Sequence, residues 1–101
     1  MNIEKIKAYL GFAIKSGEIL FGYDKLVISK KIPIVVVVCS TQNEKVTAKI
    51  HRYCVNNDIK YFKLKDLILS ELIGRDNCKV VGILNRNLAS AIENELKNGN
   101  K

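Results

Sequence analysis

From Ile3 onward, the apolar positions Ile6, Tyr9, Leu10, Ala13 and Ile14 recur at three- and four-residue steps. That spacing describes one face of an α-helix, with lysines on the opposite face. Gly17 stands where such a helix would end. Ile19, Leu20 and Phe21 leave room for one short strand before Gly22. The stretch that follows, GYDKLVISKK, reads as a second helix opening at Gly22. Pro33 should stop it near Lys31, because the residue before a proline resists helical geometry.

Residues 34–39 are apolar, mostly β-branched and without alternation, as in a strand covered on both faces. Thr41 and Glu44 have the spacing of a capping box, and Val46, Ile50, Tyr53 and Cys54 trace the buried stripe of the helix expected after it. Residues 56–58 close that helix with turn formers. A short strand is expected over 59–62, a helix over 64–72, a loop over 74–77 and a buried strand over 80–84. Asn85 is placed to cap a last helix with the stripe Leu88, Ile92 and Leu96, and residues 99–101 read as a frayed tail. Helices and strands alternating in this way predict a three-layer α/β/α sandwich around a small mixed, mostly parallel four-stranded sheet. The expected organisation is a single domain over 1–98.

Composition narrows the class. A chain of 101 residues with 48% hydrophobic residues suffices for one core and is too short for two ordinary domains. No apolar run approaches the ~20 residues of a membrane span, and the first ten residues mix charge with apolar positions, so the expectation is a soluble, cytoplasmic protein with no membrane partner. Cys39, Cys54 and Cys78 are odd in number and form no C-x-x-C pair, which reads as reduced, mostly buried thiols. Seventeen basic against ten acidic residues give a net charge of +7. Such a balance attracts polyanions, nucleic acid foremost; the alternative is a basic surface that serves solubility alone.

Candidate chemistry is sparse. His51 is the lone histidine and lies within the third helix beside Arg52, without a serine or cysteine motif to use it. No cluster has metal-ligand spacing, and the glycines form neither a dinucleotide nor a Walker loop. The expectation is a non-enzyme without metal or cofactor. The start of the second helix is more suggestive, because its first N–H groups and dipole suit a phosphate. Gly22 would let a ligand backbone approach without a Cβ in the way, and Lys25, Lys30 and Lys31 add charge. The alternative there is a simple tight turn with solvated lysines.

These elements have a familiar order. Gly17-Glu18-Ile19, then Gly22-Tyr23-Asp24-Lys25, the strand ending at Ser40, the helix after Thr41 and the segment Leu69-Ser70-Glu71-Leu72-Ile73-Gly74 follow one another over nearly the whole chain. In this the chain resembles the ribosomal protein L-seven-Ae/L-thirty-e family of kink-turn RNA binders, most closely its small bacterial YlxQ-type branch. The resemblance implies that the start of the second helix enters the opened groove of a kinked RNA. Asp24, Lys25 and Ile28 stand where the family has Asn, Glu and Lys, and Gly22 is retained, so what carries over is recognition of shape and phosphate. It further implies a second contact from Leu72, Ile73 and Gly74 against a flipped-out base, with Arg75 on a phosphate and Arg86 and Asn87 extending the surface. Gly22, Tyr23, Asp24, Lys25, Lys30 and Lys31 form the first contact. The expected partner is structured RNA, kink-turn or ribosomal, with the ribosome itself in reach, and the expected state is a monomer. The rival is a protein-interaction module that kept the fold and lost RNA reading. Leu72 and Ile73 have a plainer alternative of their own, as the end of a helix entering the core.

Overall fold

The computed structural model describes residues 2–65 and 67–99. The elements, in chain order, are α1 (Ile3–Ser16), β1 (Ile19–Phe21), α2 (Tyr23–Ile28), β2 (Val35–Val38), α3 (Glu44–Asn56), β3 (Lys60–Lys63), α4 (Leu69–Ile73), β4 (Val80–Ile83) and α5 (Arg86–Gly99). The sheet order is β1-β4-β2-β3. β4 is antiparallel to both β1 and β2, and only β2 and β3 run parallel. The sheet is therefore mixed, and the expectation of mostly parallel pairing is corrected. The reason is β4: β1, β2 and β3 share one direction, and β4 inserts between β1 and β2 in the opposite one.

Local chemistry explains where the elements begin and end. Asn2 caps α1 by accepting the Lys5 N–H, and Gly17 closes it in the left-handed region at φ 72°. α2 stops at Ile28, three residues before the expected end at Lys31. Ser29 is extended there and its hydroxyl accepts the Lys31 N–H at 3.1 Å, a local turn that competes with the helix before Pro33 acts. The cap of α3 is Asn43, whose Oδ1 accepts the Val46 N–H at 2.8 Å. Thr41 does not form the expected capping box; its hydroxyl lies 3.2 Å from the Cys39 Sγ. Leu64 was expected to open a helix, but its N–H donates to the Val38 carbonyl at 2.8 Å and prolongs the β2–β3 ladder, so α4 is shortened to Leu69–Ile73. Asp66 lies outside the described residues. Asn85 caps α5 as expected, accepting the Leu88 N–H at 2.9 Å. The helix continues to Gly99, and residues 100 and 101 of the expected tail are outside the described residues.

All four residues of β2 are buried, and alternation sends them to two different clusters. Val35 and Val37, with Val81 and Ile83 of β4, pack with Ile6, Leu10 and Ala13 of α1, Leu69 and Leu72 of α4, and Ala89, Ile92 and Leu96 of α5. Val36, Val38 and Val80 pack with Leu26 of α2 and Ile50 and Cys54 of α3. Full burial of such side chains contributes about 1.5–3 kcal/mol each, which is why a strand without alternation is stable here. The three cysteines are free and buried. Burial pushes the Cys54 thiol up to about 11, so it stays a neutral core group. Among the described residues no helix is long and apolar enough to cross a membrane.

Strand directions define two ends of the sheet. Phe21, Val81 and Val37 are aligned near one end, and Ile19, Ile83 and Val35 are aligned at the other. The first is also where the α4–β4 loop arrives and α2 and α3 begin.

Candidate nucleic-acid interface

Gly22 joins β1 to α2 with φ 85° and ψ 156°, a backbone region open in practice to glycine alone. Its N–H donates to the Val80 carbonyl at 2.9 Å, which ties the start of α2 to the start of β4. The first helical bond is from the Leu26 N–H to the Gly22 carbonyl, so the N–H groups of Tyr23, Asp24 and Lys25 precede the ladder, and no side chain caps them. A Cβ built on Gly22 would meet nothing within 4 Å. Glycine is thus required by the backbone, and the space before it is open.

That space is an open depression of ≈ 530 Å³ lined by Phe21, Gly22, Tyr23, Asp24, Lys25, Val46 and Lys49. A smaller one of ≈ 160 Å³ adjoins it, sharing Phe21 and Gly22 and walled by Arg75, Asp76, Asn77 and Cys78 of the α4–β4 loop. The Arg75 guanidinium sits 4.1 Å from the centroid of the Phe21 ring, so one aromatic residue links the two depressions into a groove. Burial pushes the Cys78 thiol up, leaving an uncharged wall beneath Arg75. Among the described residues the ion pairs are Lys5–Glu95, Lys60–Glu93 and Lys97–Glu93, none of them involving the groove cations Lys25, Lys49 and Arg75.

The sequence-predicted residues divide between the two ends of the sheet. Gly22, Tyr23, Asp24 and Lys25 meet Arg75 at the groove. Gly74 is the left-handed cap of α4 at φ 66° and lets the loop turn toward it. Leu72 is only 9% exposed and packs into the core, and Ile73 is half-buried against the same cluster, which agrees with their plainer reading. Lys30 and Lys31 follow α2, a helix that rises only ~9 Å, and lie next to Ile34, whose N–H reaches the Ile83 carbonyl. Arg86 and Asn87 open α5 just beyond Ile83. These four exposed residues therefore belong to the opposite end of the sheet, and one continuous patch from Lys30 through Arg75 to Arg86 does not form.

Sequence reasoning missed Phe21, Val46 and Lys49. Val46 and Lys49 are three residues apart and so share a face of α3. That they face α2 follows from the packing of both helices on the cluster around Val36 and Val38, which no local pattern reveals. His51 is remote from the groove; its Nδ1 lies 2.8 Å from the Tyr61 hydroxyl on the far side of α3. Among the described residues no three His, Cys, Asp or Glu side chains gather as metal ligands.

No family model matches the chain. No curated protein matches it either. Among solved structures it is similar to one from Bacillus halodurans C, described as a protein with unknown function. The two share 22% identity over 88% of this chain and 97% of that one, with a TM-score of 0.74. At that identity the likeness speaks for the fold alone.

Proposed function

We propose that the protein binds a structured, kinked RNA without catalysing a reaction, as a cytoplasmic component acting on ribosomal or other stable RNA. The two clusters on either side of the sheet are read with it as the outer contacts of a three-layer α/β/α sandwich. The observation that carries the reading is the Arg75–Phe21 stack, which brings the α4–β4 loop onto the open start of α2. The family resemblance implies those two segments as the paired RNA contacts. In this reading the free N–H groups at the start of α2 and the Lys25, Lys49 and Arg75 side chains neutralise phosphates on both sides of a bend, and Gly22 leaves the entrance open. Asp24 in place of an amide and Ile28 in place of a lysine remove side chains that would read bases, so discrimination comes from backbone shape.

The test is a titration of a kinked internal-loop RNA against a straight duplex of equal length at one salt concentration. At least about tenfold preference for the kinked RNA is expected, equivalent to about 1.4 kcal/mol. Equal affinity would reduce the groove to general basic attraction and overturn the reading. A specific observation favours the rival protein-interaction module at the other end of α2: Val27, Ile28 and Ile32 are exposed, Ile28 to 73%. An absence of RNA binding with retained folding would transfer the assignment to that face.

A further inference from the structure

We propose that the α4–β4 loop reads one unpaired base of the bound RNA, with Arg75 as the surface it stacks on and Asp76 as the group that selects guanine. The inference rests on the RNA reading above and adds a base to a contact made there through phosphates. Leu72 and Ile73 pack against the core, so what the loop presents to a ligand is residues 74–77, all of them exposed. Arg75 is fixed from two directions. Its N–H donates to the Ser70 carbonyl at 3.1 Å, closing α4 behind Gly74, and its guanidinium sits 4.1 Å from the centroid of the Phe21 ring. Because the residue is exposed, the ordered guanidinium keeps a side open to solvent. Unstacked bases of RNA settle on such guanidinium planes as they do on aromatic rings.

The depression beside Arg75 has room for one planar group. Its ≈ 160 Å³ is the liquid volume of about five waters at ~30 Å³ each, enough for a base and too little for a second nucleotide. Asp76 and Asn77 wall it, and among the described residues no ion pair engages Asp76. Both are turn formers, and Asn77 sits in the left-handed region at φ 60°. A turn alone is served as well by Asn or Ser at position 76. It does not call for a carboxylate, which beside phosphate-binding cations opposes the charge of the ligand. That opposition is offset where the ligand presents donors to the carboxylate.

Donor pattern selects the base. An ionised carboxylate only accepts, through two oxygens side by side. The Watson–Crick edge of guanine presents N1–H and N2–H next to each other and meets both oxygens. Adenine and cytosine present one amino group beside a ring-nitrogen acceptor, and uracil one N–H between two carbonyls. Each of those three sets an acceptor against Asp76. A bidentate contact of this kind is what separates one base from another. Stacking uses the face of the guanidinium and leaves its N–H edge for a phosphate, so the two contacts of Arg75 do not compete.

The test uses the full chain and four kinked internal-loop RNAs that differ only in one unpaired base at the bend, with inosine at that position as a fifth. The guanine RNA is expected to bind at least about tenfold more tightly than the adenine, cytosine and uracil RNAs, equivalent to about 1.4 kcal/mol. Inosine keeps N1–H and lacks the N2 amino group, so its RNA should fall between. Asp76→Asn keeps a turn former at an exposed position, so folding is retained. It should bring the four affinities within about threefold of one another by weakening the guanine RNA, whereas a merely structural role would weaken all four alike. Arg75→Lys keeps the charge but loses the stacking plane, and should weaken all four with their order unchanged. Binding without base preference, preference for another base, a guanine preference that survives Asp76→Asn, or equal loss across the four would each overturn the inference and leave the RNA reading standing. Kinked RNAs that bind no better than a straight duplex would overturn the RNA reading and this inference with it.

Discussion

Gly22 and Gly82 exclude a side chain for opposite reasons. At Gly22 a Cβ would meet nothing, yet φ 85° with ψ 156° is costly for any other residue, by about 1–3 kcal/mol. Gly22→Ala is therefore expected to lower the melting temperature, and a variant that melts like the parent would show that α2 can start from an ordinary backbone. At Gly82 the backbone is unremarkable, but an added Cβ would stand 2.6 Å from Leu26 Cδ2 and 2.9 Å from Pro33 Cβ. Gly82→Ala should cost about 1–3 kcal/mol as overpacking, and shortening the neighbour in Gly82→Ala/Leu26→Ala should give less than the sum of the two single losses. Denaturant melts of the three variants decide it; strict additivity would mean that Leu26 is not the clashing group. The sequence marks Gly22 as special, directly after a strand and before a helix, and the cause visible within the fold is its backbone conformation. Close approach within the protein belongs to Gly82, where α2 and Pro33 cross β4, and nothing adjacent in the chain signals that crossing.

At the scale of elements, periodicity reads well and boundaries read according to which side chain wins the nearest backbone N–H. The long stripes of α1, α3 and α5 and the uninterrupted valines of β2 need only their own spacing to be recognised. The start of α3 needs a choice between Thr41 and Asn43, both good caps by type. Cys39 and Thr41 are bound to each other, so Asn43 takes the helix. Asn43→Ala should cost about 1 kcal/mol of stability, the usual value of a lost N-cap. Thr41→Ala should cost clearly less, since the hydroxyl caps nothing; equal losses in urea melts would restore Thr41 as part of the cap. α2 and α4 are short enough that one side-chain turn or one extra ladder bond moves an end by several residues. Their lengths, set by Ser29 and Leu64, are legible only once the neighbouring strands are in place.

At the scale of the molecule, strand direction decides which charges can act together. The sequence supplies every cation considered above but not the antiparallel placement of β4 between β1 and β2. That placement carries Arg75 to the start of α2 and leaves Arg86 at the other end of the same strand. Lys49 joins the groove through α3, while Lys30 and Lys31, adjacent in sequence to α2, lie beyond it. Each lysine that neutralises a phosphate in a complex releases a counterion and steepens the fall of log affinity with log salt by close to one unit. Lys25→Ala and Lys49→Ala should therefore each lower that slope by up to about one for a kinked RNA. Lys30→Ala and Lys31→Ala should leave the slope unchanged, although all four remove the same charge from the same protein. Reduced net charge alone would act on the four alike, because each variant removes one exposed positive charge from the same protein. A salt series on the four variants separates the cases. Equal slope changes would mean that RNA is held by the whole basic surface, and a change confined to Lys30 and Lys31 would move the contact to the Ile83 end of the sheet, where the exposed Ile28 and Ile32 would then lie beneath it.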